Sequence, residues 1–446
     1  SRSIEGDIAA AIGDLVNVYS GQSDLMDPEA GRDPMFTRFQ IQGYQTPDGS
    51  HQQFMLADGP QCQKPPPDLT LEQAGSYILA AGTAYRALFS TLQIQSGKSL
   101  LTEGAATGTG AIALRMALAT RLRGIGIVSS PTRQTAIAAW GAGAIDRAET
   151  ALKACFTRVP AAAARWADWE RAGDAFLARV RAANGGRLVD YAVSHAGETA
   201  FPRSFQALAP GGKLAFYGAS SGYQMTFIGK PGSAAPEAML ARAKFRPGDA
   251  AVVFYGAGAE TRDRTALGAI EAARAAGGRI VVVTDDDGMR DFVLSLGFGD
   301  AVLGAVSLAE IGRRVPQFLW PETMPDLPDP QQETAAFKEA LRRFTEFTFK
   351  PLGDAVGRLL RSADNPRGVP DLVVERAGRD SLFVATMLVK PNAGAVIYCG
   401  DMGGRRYSFY APQVWMRQRR ILMPSAEILG THLCNAAQVA TLNRMI

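Results

Sequence analysis

Ser99 to Ser130 reads SLLTEGAATGTGAIALRMALATRLRGIGIVSS, and its four pieces decide the fold. An apolar run of strand length (SLLTE) meets a glycine-rich turn, Gly104 to Gly110. A helical stretch with apolar residues three and four apart follows, and then a second apolar run that ends at Ser129-Ser130. Strand, glycine turn, helix and strand make a βαβ unit of roughly thirty residues. Units of this kind build mostly parallel sheets covered by helices on both faces. GAGAIDR, a charged and Ala-rich stretch from Ala161 to Ala183, LVDYAVSH and GGKLAFYG carry the alternation on to Gly218.

Downstream the pattern recurs. AAVVFYGAGAE (Ala250 to Glu260), GRIVVVTDDD, SLGFGDAV, PDLVVERAG and GAVIYCG repeat the first unit in order. WGAGAIDRA matches LGFGDAVLG, VDYAVSHAG matches DLVVERAG, and FYGASSGYQMTF matches YCGDMGGRRYSF. Because the matched segments keep their order, the expected fold class is α/β with two Rossmann-type doubly wound parallel sheets from an apparent duplication. The second copy is stretched by a Pro-rich segment (Trp320 to Pro330) and a helical one (Thr334 to Arg361). Before the first copy, short alternating runs such as Asp14 to Tyr19 and frequent Pro, Gly and Asp predict a small β-rich piece. Thr70 stands as an N-cap, with Glu72 and Gln73 behind it, for a helix spaced from Leu71 to Leu92. The expected organisation is a β-rich portion with a connecting helix (1–95), a cofactor-binding unit (96–230), a second Rossmann-like unit (231–422) with an insertion at 316–361, and a return segment (423–446).

Composition narrows the function classes. The 446 residues carry 47 Lys plus Arg against 43 Asp plus Glu, a formal excess of +4 with no block of five or more like charges. That balance argues against a nucleic-acid or membrane-surface partner. No apolar run approaches the ~20 residues of a bilayer span. Cys62, Cys155, Cys399 and Cys434 stand far apart without a CxxC, which fits neither a zinc cluster nor a secreted disulfide framework. A reducing cytoplasm is expected. No signal peptide is visible at Ser1-Arg2-Ser3, and a start without Met is expected of a fragment of a longer chain.

Glycines between a strand and a helix let a backbone approach a pyrophosphate lying on the helix N-terminus, which assigns Gly104, Thr107, Gly108, Thr109 and Gly110 to that role. At the end of the next strand, Ser129, Ser130 and Arg133 offer hydroxyls and a cation where an adenosine ribose is read, with no Asp or Glu. That set suits a 2′-phosphate, hence NADPH. The alternative is that Ser129 and Ser130 only cap the following helix. In the second copy Gly256-Ala257-Gly258 is followed by Glu260 and Asp263, and the next strand ends in Asp285, Asp286 and Asp287. Carboxylates there repel phosphates, so this copy is a degenerate structural one or takes something else. Of the three histidines, His51, His195 and His432, none stands at metal-ligand spacing, so no metal is expected. Hydride chemistry without a metal implies a conjugated carbonyl or thioester acceptor, whose enolate needs only hydrogen-bond donors and one proton donor.

Together these segments resemble the medium-chain dehydrogenase/reductase superfamily, and within it crotonyl-CoA carboxylase/reductase. The matching stretches include GYQTPDGSHQQF, LTLEQAGSYILAAGTAYRALF, the GAATGTG turn, SHAGETAFPRSF, GGKLAFYGASSGY, and VWMRQRR followed by GTHLCN. The doubled unit is most similar to the reductase region of propionyl-CoA synthases, fused ligase, hydratase and reductase enzymes that form propionyl-CoA from 3-hydroxypropionate. The resemblance implies an incomplete GroES-like catalytic portion and reduction of a 2-enoyl-CoA, foremost acryloyl-CoA, by NADPH. It further implies fusion to or docking with ligase and hydratase domains, and a homo-oligomer. It places His195, Gly218, Ala219 and Ser220 beside the cofactor. The family's carbon dioxide-holding positions fall on Tyr44, Gln45 and His432, with Gln45 where the family has glutamate. Arg417, Arg419 and Arg420 are candidates for CoA phosphates, or else a solvated basic face. A reductive carboxylase, a quinone or alkenal reductase and a non-catalytic scaffold are the competing readings.

Overall fold

The computed structural model describes residues 11–445 apart from 25, 27–38, 231, 233, 257–263, 319, 321–332, 376–380, 399–405 and 433–434. The β-rich beginning is two short antiparallel pairs, β1 (Asn17–Val18) with β4 (Cys62–Gln63) and β2 (Gly21–Gln22) with β3 (Gln40–Ile41). Thr70 caps the first long helix. Its Oγ1 accepts from the Gln73 amide at 3.3 Å, while the Gln73 side chain accepts from the Thr70 N–H at 3.0 Å. Two otherwise orphaned donors are thereby satisfied reciprocally. The helix runs Leu71–Tyr85 and continues through a wider π-helical stretch, Arg86–Leu92, so the helical spacing read from the sequence holds to its end.

From Ser99 onward come β5 (Ser99–Thr102), β6 (Arg123–Val128), β7 (Gly143–Asp146), β8 (Val189–Ser194) and β9 (Leu208–Phe216), followed by β10 (Gln224–Ile228). The later copy supplies β11 (Ala250–Tyr255), β12 (Arg279–Thr284), β13 (Val302–Ser307), β14 (Leu372–Glu375), β15 (Ala395–Tyr398) and β16 (Arg406–Tyr410), and the chain then adds β17 (Arg420–Met423) and β18 (Ala426–Gly430). Two separate sheets are expected from the sequence. The structure instead joins them into one sheet of twelve strands, in the order β13-β12-β11-β14-β15-β17-β18-β9-β8-β5-β6-β7.

The seam explains why. Each half has the order 3-2-1-4-5-6 and is parallel throughout, with β17 the sixth strand of the later half and β18 that of the earlier one. β17 and β18 form an antiparallel hairpin, Ile421 facing Ile428, so the halves run in opposite senses. A second antiparallel contact pairs β10 with β16, elements that follow the fifth strand in each copy. There Thr226 faces Ser408, the residues matched by the repeat, and their hydroxyls lie 3.0 Å apart. Equivalent residues meeting each other are the mark of an isologous contact. Here that contact lies inside one chain. The insertion expected at 316–361 is the crossover from the third to the fourth strand: its helix Lys350–Leu360 packs on β12 and β13. In the first half the helices Trp166–Ala172 and Asp174–Ala183 occupy the corresponding connection.

Burial follows the topology. All six residues of β11 are buried, as a parallel strand covered on both faces requires. Arg203 is fully buried and held by donation to the carbonyls of Cys155 (2.6 Å) and Trp169 (2.7 Å), with its guanidinium over the Trp169 ring. No helix among the described residues is long and apolar enough to cross a membrane.

Candidate functional site

The glycine turn sits where β5 ends and the helix Gly108–Ala119 begins. Its glycines do different things. Gly104 has φ 57°, and a Cβ there would lie 2.3 Å from His195 Cε1. A Cβ on Gly110 would lie 2.3 Å from the Gly104 carbonyl oxygen and 2.8 Å from that of Glu103, so only glycine lets the helix press onto the turn. Gly108 is exposed, and the nearest atom to a Cβ there is Ala80 Cβ at 3.9 Å. Gly108 therefore leaves open space rather than relieving a contact. Thr107 donates to the Gly104 carbonyl from both its N–H (2.8 Å) and its hydroxyl (2.6 Å), which fixes the turn. The first-turn N–H groups of the helix have no intrahelical acceptor, the usual basis for anion binding at a helix N-terminus.

Around it lies a cavity of about 150 Å³ whose lining includes Gly104, Thr107, Ser129, Arg133, Arg147 and His195. Ser130 caps the helix Pro131–Ala138, accepting from the Arg133 N–H at 3.4 Å. Ser129 instead accepts from Arg133 Nη1 at 2.9 Å. One serine is structural and the other holds the arginine. Ser220 reaches the Ala196 carbonyl at 3.2 Å and Gly218 lies against His195, so the strand-end loops after β8 and β9 close one wall. Ala219 is buried in that loop.

Two charged lining residues escape the sequence reading. Arg147, just beyond β7, brings a second cation to the same cavity. Glu103 is buried beneath the turn, where its carboxylate accepts from Ser194 Oγ (2.9 Å), the Ala196 N–H (3.1 Å) and Ser204 Oγ. A carboxylate ending an apolar strand is the signal that could have found it, since a buried charge must be paired or hydrogen-bonded. The fit to a phosphate-bearing dinucleotide rests on two observations. Gly104 leaves a hollow that a Cβ would fill, and the buried His195 Nδ1 has no hydrogen-bond partner among the described residues. The His195 ring lies parallel to Tyr217 with centroids 5.8 Å apart.

His432 follows β18 and is buried, its ring edge-on to Phe39 at 4.9 Å. Burial, and secondarily the nearby Arg86 cation, push its imidazole down to about 4, so it is neutral at pH 7. Tyr44 and Gln45 lie in an exposed turn where Gln45 Oε1 accepts from the Ile41 N–H at 3.0 Å. Burial raises the Tyr410 phenol to about 12, and Tyr44 and Tyr223 add to that shift. The turn thus approaches the Tyr223–Tyr410 end of the seam. Arg417 is exposed, whereas Arg419 and Arg420 are engaged within the protein. Arg419 is buried and donates to the carbonyls of Gln413 (3.1 Å) and Met387 (3.2 Å); burial lowers it to about 9. Arg420 donates to the carbonyls of Ala243 (2.6 Å) and Ala393 (3.2 Å). Arg419 forms no part of a solvated face, whereas Arg420 is half-buried and lines a cavity at the seam.

In the second copy the turn residues Gly258, Glu260 and Asp263 lie outside the described residues. Asp286 caps the helix Asp287–Ser295, and Asp287 is paired with Arg313 and Arg290. The described residues contain no group of three or more His, Cys, Asp or Glu able to hold a metal ion.

No family model matches the chain. Over 223 residues it is 32% identical to a crotonyl-CoA carboxylase/reductase of Cereibacter sphaeroides, covering 48% of this chain and 51% of that protein. Over 218 residues it is 31% identical to a crotonyl-CoA reductase of Streptomyces collinus, covering 47% and 46%. A solved crotonyl-CoA carboxylase/reductase superposes with a TM-score of 0.46 at 31% identity, over 49% of this chain and 52% of that one. The crotonyl-CoA carboxylase/reductase AntE in complex with NADP gives 0.44 at 27% identity, over 47% and 53%. The chain spans about half the length of the curated relatives it matches.

Proposed function

We propose that this chain is an NADPH-dependent 2-enoyl-CoA reductase unit whose substrate is acryloyl-CoA and whose product is propionyl-CoA. The observation that carries this is the cavity at the glycine turn, where Ser129, Arg133 and Arg147 gather beyond Gly104 and Thr107. It lies in a chain similar to crotonyl-CoA reductases. NADPH bound there supplies a hydride to the β-carbon of the conjugated thioester, and the enolate formed takes a proton at the α-carbon. The turn and the helix N-terminus hold the pyrophosphate, Arg133 and Arg147 pair with the 2′-phosphate, and Glu103 fixes the loop that carries His195. Glu260 and Asp263 exclude the cofactor from the second copy, so one NADPH binds per chain. A place beside ligase and hydratase units, in the cytoplasm, belongs to the same reading. Mixing the protein with NADPH and acryloyl-CoA should give steady loss of the NADPH absorbance. NADPH binding without turnover of any enoyl-CoA would leave a scaffold.

Arg133→Ala should weaken NADPH about ten- to a hundred-fold and leave NADH nearly unchanged, since charge-assisted bonds to a phosphate contribute ~1.5–3 kcal/mol. Equal losses for both cofactors in fluorescence titrations would remove Arg133 from the 2′-phosphate.

The fate of the enolate turns on Gln45. Its Oε1 accepts from the Ile41 N–H, and its side chain is a neutral amide where the family's glutamate is charged. Protonation should outrun carboxylation, giving propionyl-CoA even in saturating bicarbonate. Mass spectrometry with labelled bicarbonate decides it: a carboxylated major product would make the enzyme a reductive carboxylase.

A further inference from the structure

A cavity of about 530 Å³ opens at the seam, between the helix Pro236–Ala243 and the stretch Arg86–Leu92. That volume falls in the ~300–1,000 Å³ range of small-molecule sites and far exceeds what a single ion fills. Seven cationic side chains and three carboxylates line it. The excess equals the +4 of the whole chain, so the rest of the protein is charge-balanced. Two of the pairs cancel: Arg242 with Glu427 at 2.9 Å, and Lys390 with Asp371. Arg86 donates to Gln418 and Gln438 and Arg420 to backbone carbonyls, which fixes both cations without neutralising them. The remaining three, Lys213, Lys244 and Arg246, form no ion pair within 4 Å among the described residues; the third carboxylate, Asp249, accepts from the Arg246 N–H at 2.8 Å and lies within electrostatic reach of Arg246 and Lys390.

Other features point the same way. Lys244 takes the left-handed conformation, φ 61°, at the end of its helix, a position where glycine is the undemanding choice. Phe245 and Leu429 give the cavity an apolar wall. Thr91, also on its lining, donates to Thr431 Oγ1 at 2.9 Å, and Thr431 precedes His432. The cavity therefore begins beside the histidine of the proposed site and ends in a net positive charge.

We propose that this seam cavity binds the phosphate groups of a nucleotide, held by Lys213, Lys244 and Arg246. Two sources share that chemistry: the nucleotide end of an acyl-CoA, which rests on the function proposed above, and a free nucleotide acting on the enzyme from the seam.

Adenosine 3′,5′-bisphosphate is the probe, titrated calorimetrically with NADP⁺ saturating so that the glycine-turn site is filled. Binding is expected, and the triple variant Lys213→Met, Lys244→Gly, Arg246→Gln should weaken it at least about thirty-fold while NADPH affinity stays the same. Lys244→Gly relieves the left-handed residue, and an unchanged melting temperature confirms the fold. No binding, or binding that the triple variant leaves intact, overturns the proposal. The source is then read kinetically. A raised KM for acryloyl-CoA with kcat unchanged assigns the cavity to the substrate's nucleotide. An unchanged KM with bisphosphate binding lost assigns it to a free nucleotide. Absence of any enoyl-CoA turnover, with bisphosphate still bound at the seam, sinks the proposed function and leaves the seam site standing.

Discussion

Gly108→Asp should leave the fold intact and abolish NADPH binding, whereas Gly110→Ala, two residues on, should destabilise the fold itself. The difference is geometric. At Gly108 a side chain meets nothing nearer than Ala80 Cβ at 3.9 Å, so an aspartate fits, but its carboxylate stands in the space proposed for the pyrophosphate. Like charges placed in contact cost several kcal/mol, and the loss should exceed roughly a hundred-fold in affinity. At Gly110 even a methyl group would collide with the carbonyl oxygens of Gly104 and Glu103 at 2.3 and 2.8 Å, and backbone cannot swing aside as a side chain can. Overpacking of this kind costs about 1–3 kcal/mol or more. Thermal melts and NADPH fluorescence titrations on both variants separate the two outcomes. Tight NADPH binding by Gly108→Asp would remove the glycine turn from the cofactor site.

The βαβ unit was legible because its signals are local: apolar runs of strand length, a glycine string and helical spacing lie within Ser99 to Ser130. The repeat was legible for the same reason, and WGAGAIDRA with LGFGDAVLG locates the third strand of each half. What joins the halves was not. β17 and β18 are four and five residues long, and nothing in RILMPSAEILG states that its two strands complete different halves of one sheet. Only the pairing of β18 with β9, more than two hundred residues earlier, reveals it. The cofactor cavity shows the same division. The turn and the Ser129–Arg133 group sit in one short segment and were readable together. Arg147 reaches them through parallel pairing of β6 with β7, a tertiary fact. The basic excess looked diffuse along the chain because Lys213, Lys244, Lys390 and Arg420 come from four separate segments that converge only at the seam.

His432→Leu should lower kcat for acryloyl-CoA by about 10²–10⁴-fold, the span of a lost acid–base contribution, with NADPH affinity unchanged. Its charge state says how it acts. Burial, with Arg86 nearby, holds the imidazole at about 4 against an ordinary 6.5, so near neutral pH the ring is uncharged. An imidazolium cannot then be the proton donor to the enolate. On the function proposed above, the neutral ring would instead position a water, donating from one nitrogen or accepting at the other, and that water would deliver the proton. The acid limb of kcat should therefore fall near pH 4. A limb near 6.5 that disappears in His432→Leu would restore the imidazolium as donor. Stability carries the same signature. Unfolded chain takes up the proton from about pH 6.5 downward while the folded state resists it until about 4. The contribution is thus complete above 6.5, shrinks as the pH falls toward 4, and levels off below. At ~1.4 kcal/mol per pKa unit it is on the order of 3 kcal/mol. Denaturant melts of wild type and His432→Leu across this window should show the wild type losing that much more stability on acidification. Parallel losses in the two proteins would mean that His432 titrates normally and that the water-positioning role fails with it.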